Sequence, residues 1–195
     1  MKRLLVFILS AALLAPLNVL AATYALDPAH TKIGFKVKHL MITNVSGVFE
    51  KFTGTVVIDE KDISKSKVDV NIELASINTN ISKRDDHLRS ADFFDVAKYP
   101  AMTFVSTRVE RAGADKLKVT GDLTIKGVTR SVVLNVDGPT GEIKAPQGDL
   151  RRGASASAAI NRQDFGVSWN KNLDGGGFVV ADDVYISIDT EMARK

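Results

Sequence analysis

The chain contains no cysteine. That absence excludes disulfides, thiolate nucleophiles, cysteine-bound metals and a lipid anchored at a cysteine, so the fold must be held by its core alone. Histidine is scarce too, with three residues in 195: His30, His39 and His87. His30 and His39 lack the close spacing of a preformed ligand pair, and no cysteine can join them, so no metal site is expected. No Gly-x-Ser-x-Gly occurs, which removes the nucleophile elbow. Asp174-Gly175-Gly176-Gly177 lacks the Lys-Ser/Thr of a phosphate loop and reads as a flexible loop. Neither sign of charge dominates: 26 Lys and Arg stand against 23 Asp and Glu, a net charge of +3. The basic residues are scattered among acidic ones and leave no footprint for nucleic acid. The apolar run from Leu4 to Leu17 is shorter than the ~18–20 residues of a membrane-spanning helix, and Pro16 interrupts its end.

That run follows Lys2 and Arg3 and leads to Val19-Leu20-Ala21, the layout of a secretory signal with a small-residue cleavage site. Residues 1–21 are expected to be removed, with cleavage after Ala22 as the alternative. Loss of two positive charges lowers the net charge from +3 to 3 − 2 = +1. At 45% hydrophobic and 25% charged residues, positions 22–195 suit one domain with a single core.

What the chain has in abundance is alternation. Ile33, Phe35 and Val37 interleave with Lys32, Gly34, Lys36 and Lys38, giving a half-buried strand. Val68, Val70, Ile72 and Leu74, and then Leu117, Val119, Leu123 and Ile125, do the same more cleanly. Weaker alternation runs through 48–59, 102–109, 128–136, 154–160 and 184–190, which makes eight strands. Lys126-Gly127 reads as a tight hairpin and Asp137-Gly138-Pro139 as a strand-ending loop. Short connections make the strands antiparallel, and eight of them close into a barrel without exposed edges; two packed sheets are the alternative. The expected class is all-β with one short helix, an eight-stranded antiparallel lipocalin-like β-barrel. In Gly153–Ala159, GASASAA, both possible inward sets (Ala154, Ala156 and Ala158, or Ser155, Ser157 and Ala159) are small, which leaves room for a cavity unless large residues opposite fill it.

One polar insertion interrupts this pattern, from Lys83 to Ser106. Ser82 offers a hydroxyl cap and Asp85 and Asp86 sit in the first turn of a short helix. Leu88, Phe93 and Phe94 could plug one end of the barrel, and Pro100 holds Tyr99 extended at the entry to the next strand.

Several blocks carry a family resemblance: Asp27-Pro28-Ala29-His30-Thr31 on to His39; Gly47-Val48-Phe49 with Phe52-Thr53-Gly54; Arg84-Asp85-Asp86-His87-Leu88 with Asp92-Phe93-Phe94-Asp95; Tyr99-Pro100 with Phe104; Gly121 to Thr129; and Asn161 to Gly166. In these the chain resembles the YceI-like family of periplasmic lipid-binding proteins. The resemblance implies a lipocalin-like barrel whose apolar pore holds a long isoprenoid chain, in a periplasmic binding or carrier protein with no cofactor and no catalytic residues. The side chains expected to meet the ligand are Phe35, Val37, Phe49, Phe52, Leu88, Phe93, Phe94, Met102, Phe104, Ala156, Phe165 and Trp169. Arg84, Asp85 and His87, with Arg89, are expected at its polar end. An enzyme acting on a lipid-like substrate in the same cavity is the alternative. An outer-membrane barrel is disfavoured by Asp69, Asn71, Glu73, Lys118 and Asp122 on outward faces. A homodimer is left open, and the loop from Gly138 to Arg152 matches none of the blocks.

Overall fold

The alternating segments are strands in the computed structural model, which describes residues 21–195. The expected signal segment lies outside the described residues, apart from Ala21. In chain order the elements are β1 (Ala22–Leu26), β2 (Lys32–His39), β3 (Thr43–Phe49), β4 (Phe52–Ile58), β5 (Lys67–Glu73), β6 (Ile77–Asn78), α1 (Ser82–Arg89), β7 (Ala101–Arg111), β8 (Lys116–Ile125), β9 (Val128–Asp137), β10 (Ile143–Lys144), β11 (Leu150–Asn161) and β12 (Val180–Arg194).

These strands build eight staves. β1 and β2 run end to end along one side of β12, β3 and β4 share the next line, and β5 and β6 the one after. β7, β8, β9, β11 and β12 complete the circuit, and β12 pairs both with β11 and with β1 and β2, so the antiparallel sheet closes on itself. β10 lies outside the circuit, paired only to the start of β11.

The expected single strand over 48–59 is broken at Glu50-Lys51. There the Glu50 amide donates to the Ser76 carbonyl and the Lys51 amide to Ser76 Oγ, at 3.2 and 3.0 Å. The break faces the 3-10 turn Leu74–Ser76 between β5 and β6, so adjacent staves bend at one level. The Lys126-Gly127 hairpin has both residues at positive φ, 51° and 75°, the twist a two-residue antiparallel turn requires.

Inward residues alternate as in β8, where Leu117, Val119, Leu123 and Ile125 are buried and Lys116, Lys118 and Asp122 exposed, with a shift of parity in β7 between Ser106 and Arg108. Two glycines set the wall. A Cβ on Gly47 would lie 2.5 Å from the Phe35 ring, and one on Gly121 would lie 2.4 Å from the Phe104 ring and 2.7 Å from the Val105 carbonyl. Both rings therefore pack directly against bare backbone.

At the end that holds the N-terminus of β1, Tyr24, Ile58 and Met192 form a buried floor. Glu142 from the 138–152 loop accepts from the Tyr24 hydroxyl at 2.6 Å, Arg152 donates to the same oxygen at 2.9 Å and also pairs with Glu60, and Arg194 donates to Glu142 at 3.2 Å. The loop that matches none of the sequence blocks thus supplies the acid that secures the floor.

The turn between β1 and β2 is held from outside by Arg151, whose Nη1 donates to Asp27 Oδ2 at 2.6 Å and to Glu191, while Nε donates to Asp149 at 2.7 Å. Asp27 also accepts from the Ala29 amide and meets His30 Nδ1, both at 2.9 Å. The His30 ring, the Ala29 amide and Arg151 hold the Asp27 carboxyl down at about 2, and Asp27 in turn raises His30.

Two predictions follow from the wall and this latch. Gly121→Ala should lower stability by ~1–3 kcal/mol, read as a shifted urea midpoint at unchanged slope, because neither the ring nor the carbonyl can yield freely. The Asp27 contribution is full above the unfolded carboxylate value of about 3.9 and fades as pH falls through about 2. The His30 contribution is full below its unfolded value of about 6.5 and fades as pH rises through its elevated native value. The melting-temperature gap between wild type and Asp27→Asn should therefore be widest between about pH 4 and 6.5, and a pH-independent gap would refute the latch.

Candidate functional site

The interior is not filled. A cavity of about 410 Å³ runs the length of the barrel, from Ile58 and Met192 at the floor to Val180, Val167 and Trp169 at the opposite end. That volume falls within the ~300–1,000 Å³ of small-molecule sites. On β11, Ala154 and Ala156 line it and Ala158 is buried in the core, while Ser155 points outward to Asp189 at 2.9 Å. Of the two inward sets, the methyls face the cavity.

The polar side chains in the lining are few: His39, Ser66, Arg84, His87, Arg162 and Thr190. The four that carry a titratable group sit together at the end holding α1, so the cavity has an apolar floor and a polar mouth.

Phe35, Val37, Phe49, Arg84, His87, Leu88, Phe93, Phe94, Met102, Phe104, Ala156, Phe165 and Trp169 all line the cavity. Phe52 does not; directly after the break at Glu50-Lys51, it is buried in the wall opposite Ile72. Asp85 does not either. Its carboxylate is turned away and accepts from the Thr79 amide at 2.9 Å and the Thr79 hydroxyl at 2.5 Å. Arg84 completes the bracket, donating from Nε to Thr79 Oγ1 and from Nη2 to the Thr79 carbonyl, each at 2.7 Å. Arg89, expected at the polar end, donates to the Ala75 and Ile77 carbonyls and to Asp86 and so anchors the helix to the rim.

The expected Ser82 cap is also corrected. Ser82 is the first helical residue, Ile81 holds the cap position without a side-chain bond, and the preceding turn is fixed by Asp85 instead.

Above this bracket the mouth is aromatic. The His87 ring stands edge-on between Phe93 and Trp169, with centroids 5.0 and 4.9 Å away, and its Nε2 lies 2.9 Å from Asp92 Oδ2. Phe94 packs edge-on against Phe49 at 6.1 Å, and Phe49 against Phe35 at 5.8 Å. Such pairs add to the apolar burial of each ring.

Arg162 was not anticipated as a keystone. It is buried, and its guanidinium donates to the carbonyls of Val167, Trp169, Val180 and Ala181 and to Asp182. Burial lowers its pKa while Asp182 counters that effect. The loop carrying Trp169 is therefore wound around one cation. Nothing in hydrophobic periodicity marks such a residue; the Asn161 to Gly166 block carried the only signal.

His39, at the end of β2, is not among the side chains expected to meet the ligand, yet it lines the mouth. Outside the barrel, Asp27, His30 and Glu191 are spaced to hold a cation. The Arg151 guanidinium already bonds both carboxylates there.

A closed antiparallel barrel with an elongated apolar interior, a shut floor and an aromatic mouth defines a class: small barrels built around an internal cavity rather than a packed core. Within that class, the model of the YceI-like domain matches residues 24–192. The chain belongs to the YceI-like family. A UPF0312 protein of Photorhabdus laumondii is 42% identical over 190 residues, 96% of each chain. The crystal structure of Burkholderia cenocepacia BcnA superposes with a TM-score of 0.73 at 28% identity, covering 85% of this chain and 98% of that one. A polyisoprenoid binding domain from Saccharophagus degradans shares the fold, with a TM-score of 0.63 at 18% identity, over 89% of this chain and 99% of that one.

Asp85→Ala should destabilise the protein by ~2–3 kcal/mol in chemical denaturation, since it strips the partner from two buried Thr79 groups. Thr79→Val should cost less in that background than in the wild type, because its hydroxyl bond to Asp85 is already gone and only the bond from Arg84 Nε remains to be lost.

Proposed function

We propose that the protein is a periplasmic carrier that buries the long tail of an isoprenoid lipid in its barrel and holds the head group at the α1 end. The observation that carries this reading is the cavity itself, apolar from the floor upward with its titratable groups confined to one mouth. The lining on β12 extends from Val180 to Met192. At ~3.3 Å per residue and a ~40° strand tilt, that is roughly 30 Å of depth. A bilayer's hydrocarbon core is also ~30 Å thick, so the cavity is about two acyl chains deep and favours a tail longer than one fatty acid. At ~25 cal/mol per Å² of apolar area, such a tail supplies most of the affinity. His39, His87 and the Arg84 guanidinium would meet the head group. The polyisoprenoid-binding neighbour supports the ligand class by shared fold.

Export fits the same reading. Cleavage after Ala21 leaves β1 whole, whereas cleavage after Ala22 removes its Ala22–Ile58 pair. No helix among the described residues is long and apolar enough to cross a membrane.

Native mass spectrometry of the purified protein, followed by organic extraction, tests the proposal: a polyprenyl lipid or isoprenoid quinone should be recovered, or taken up when offered. Recovery of none, from a protein that also takes up none, sinks it. Ala156→Phe should cut the lipid-bound fraction several-fold at a stability cost of no more than ~1–3 kcal/mol. Unchanged uptake would place the tail elsewhere.

A further inference from the structure

The β2–β3 hairpin turns through His39, Leu40, Met41 and Ile42. Leu40 and Met41 have φ of 51° and 61°, and the Ile42 amide donates to the His39 carbonyl at 3.1 Å. This is the type I′ geometry that usually selects Asn and Gly, because a side chain in left-handed backbone carries a steric cost. Here the turn presents large apolar side chains instead, with Leu40, Met41 and Ile42 exposed to 37%, 48% and 81%. The adjoining loop adds Phe178, exposed to 48%. The two loops touch: the Leu40 amide donates to the Val179 carbonyl at 2.8 Å, and Met41 Cγ lies 3.5 Å from where a Gly177 Cβ would be.

This fringe is continuous with the mouth, since His39 and Val179, the immediate neighbours of Leu40 and Phe178, both line the cavity. It also has a charge pattern. From Pro28 to Phe49 there is no acid, while Lys32, Lys36 and Lys38 alternate on the outer face of β2 below the tip, beside exposed Asp183 and Asp189 on the paired strand β12. The touching loop contributes one exposed Lys171 and one exposed Asp174.

We infer that the apolar fringe inserts into the head-group layer of an anionic phospholipid bilayer and sets the mouth of the cavity against it. Four partly exposed side chains on a narrow tip fall short of the ~800 Å² per partner that a stable protein interface buries, whereas interfacial insertion has no such minimum and is reinforced by lysines at head-group depth. An apolar tip held at a conformational cost beside the opening of an apolar cavity is a place where a lipid passes from bilayer to barrel without crossing water. The docking deepens the carrier reading, and it stands on different residues.

Cosedimentation with phosphatidylethanolamine–phosphatidylglycerol vesicles tests it. Wild type should bind these vesicles, bind phosphatidylcholine vesicles less, and lose binding as salt rises. Leu40→Asn with Met41→Gly should raise the melting temperature by relieving the turn, yet weaken vesicle binding by about tenfold or more. Ile42→Ser and Phe178→Ser should weaken it in the same direction. A turn variant that binds vesicles like wild type overturns the inference, as does a fringe that drives self-association of the protein in the absence of vesicles. Loading of a polyprenyl lipid from detergent separates the two readings. Uptake without vesicle binding defeats the docking and leaves the carrier, whereas fringe-dependent vesicle binding without uptake defeats the carrier and leaves the docking.

Discussion

Everything in this molecule depends on closing eight staves without filling the space they enclose. The closure rests on β11 and β12, paired from Arg151–Ala193 to Asn161–Asp183, the longest uninterrupted register in the sheet. Along that seam the inward residues of β11 are Ala154, Ala156 and Ala158, opposite Thr190, Ile188 and Ile186. A methyl is enough to exclude water from the wall and too small to reach the far side. Close packing would normally demand larger residues there. The barrel instead obtains its stability from the circuit of backbone bonds and from a shell of apolar side chains, and it leaves the centre open.

An open centre shifts the structural burden to the ends, and each end solves it differently. The floor is shut by Tyr24, Ile58 and Met192, with the tyrosine hydroxyl satisfied by Glu142 and Arg152. The mouth spans the place where staves stop pairing: β6 pairs only with β3, and β9 meets β11 over three residue pairs near the floor end. Those gaps are covered by chain outside the strands, residues 79–100 with α1 on one side and 162–179 on the other. Irregular backbone that covers a core must have its polar groups satisfied internally. Two buried charged groups do this. Asp85 gathers the Thr79 amide and hydroxyl, and Arg162 gathers the Val167 and Trp169 carbonyls of the second segment and ties them to the Val180 and Ala181 carbonyls at the start of β12. Each is costly to bury and inexpensive to keep once its partners surround it.

The division between staves and ends also explains what the sequence revealed. Strand alternation is a local, period-two property, so the staves, the inward face of β8 and the tight Lys126-Gly127 turn could be read directly. The aromatic lining at Phe35, Phe49, Phe93 and Phe94 followed from that face and from the family blocks, whereas Trp169 lies outside both. β1 was not found, because five residues of ATYAL alternate too briefly to register. Phe52 misled because its parity is right but the stave bends just before it. Asp85 and Arg89 misled for a different reason. A charged helix end beside an aromatic cap looks the same in sequence whether its charges face a ligand or hold the chain, and only long-range partners such as Thr79 and the Ala75 carbonyl decide. The 138–152 loop gave no signal at all, since the worth of Glu142 lies in a tyrosine 118 positions away.

The asymmetry of the two ends has a mechanical consequence. At the floor, the contacts join strands that are already fixed by the sheet, so opening there would break the barrel. At the mouth, His87 meets Phe93 and Trp169 edge-on, Phe93 and Trp169 pack as a tilted pair at 5.2 Å, and the three rings belong to two segments tied down separately, one through Thr79 and the other through Arg162. Parting those rings breaks weak aromatic contacts and leaves both anchoring networks intact. A long tail therefore has one low-cost way in, between two irregular segments that are each rigidly rooted but only loosely joined. That is also the end at which the left-handed Leu40-Met41 turn presents its side chains to the surroundings.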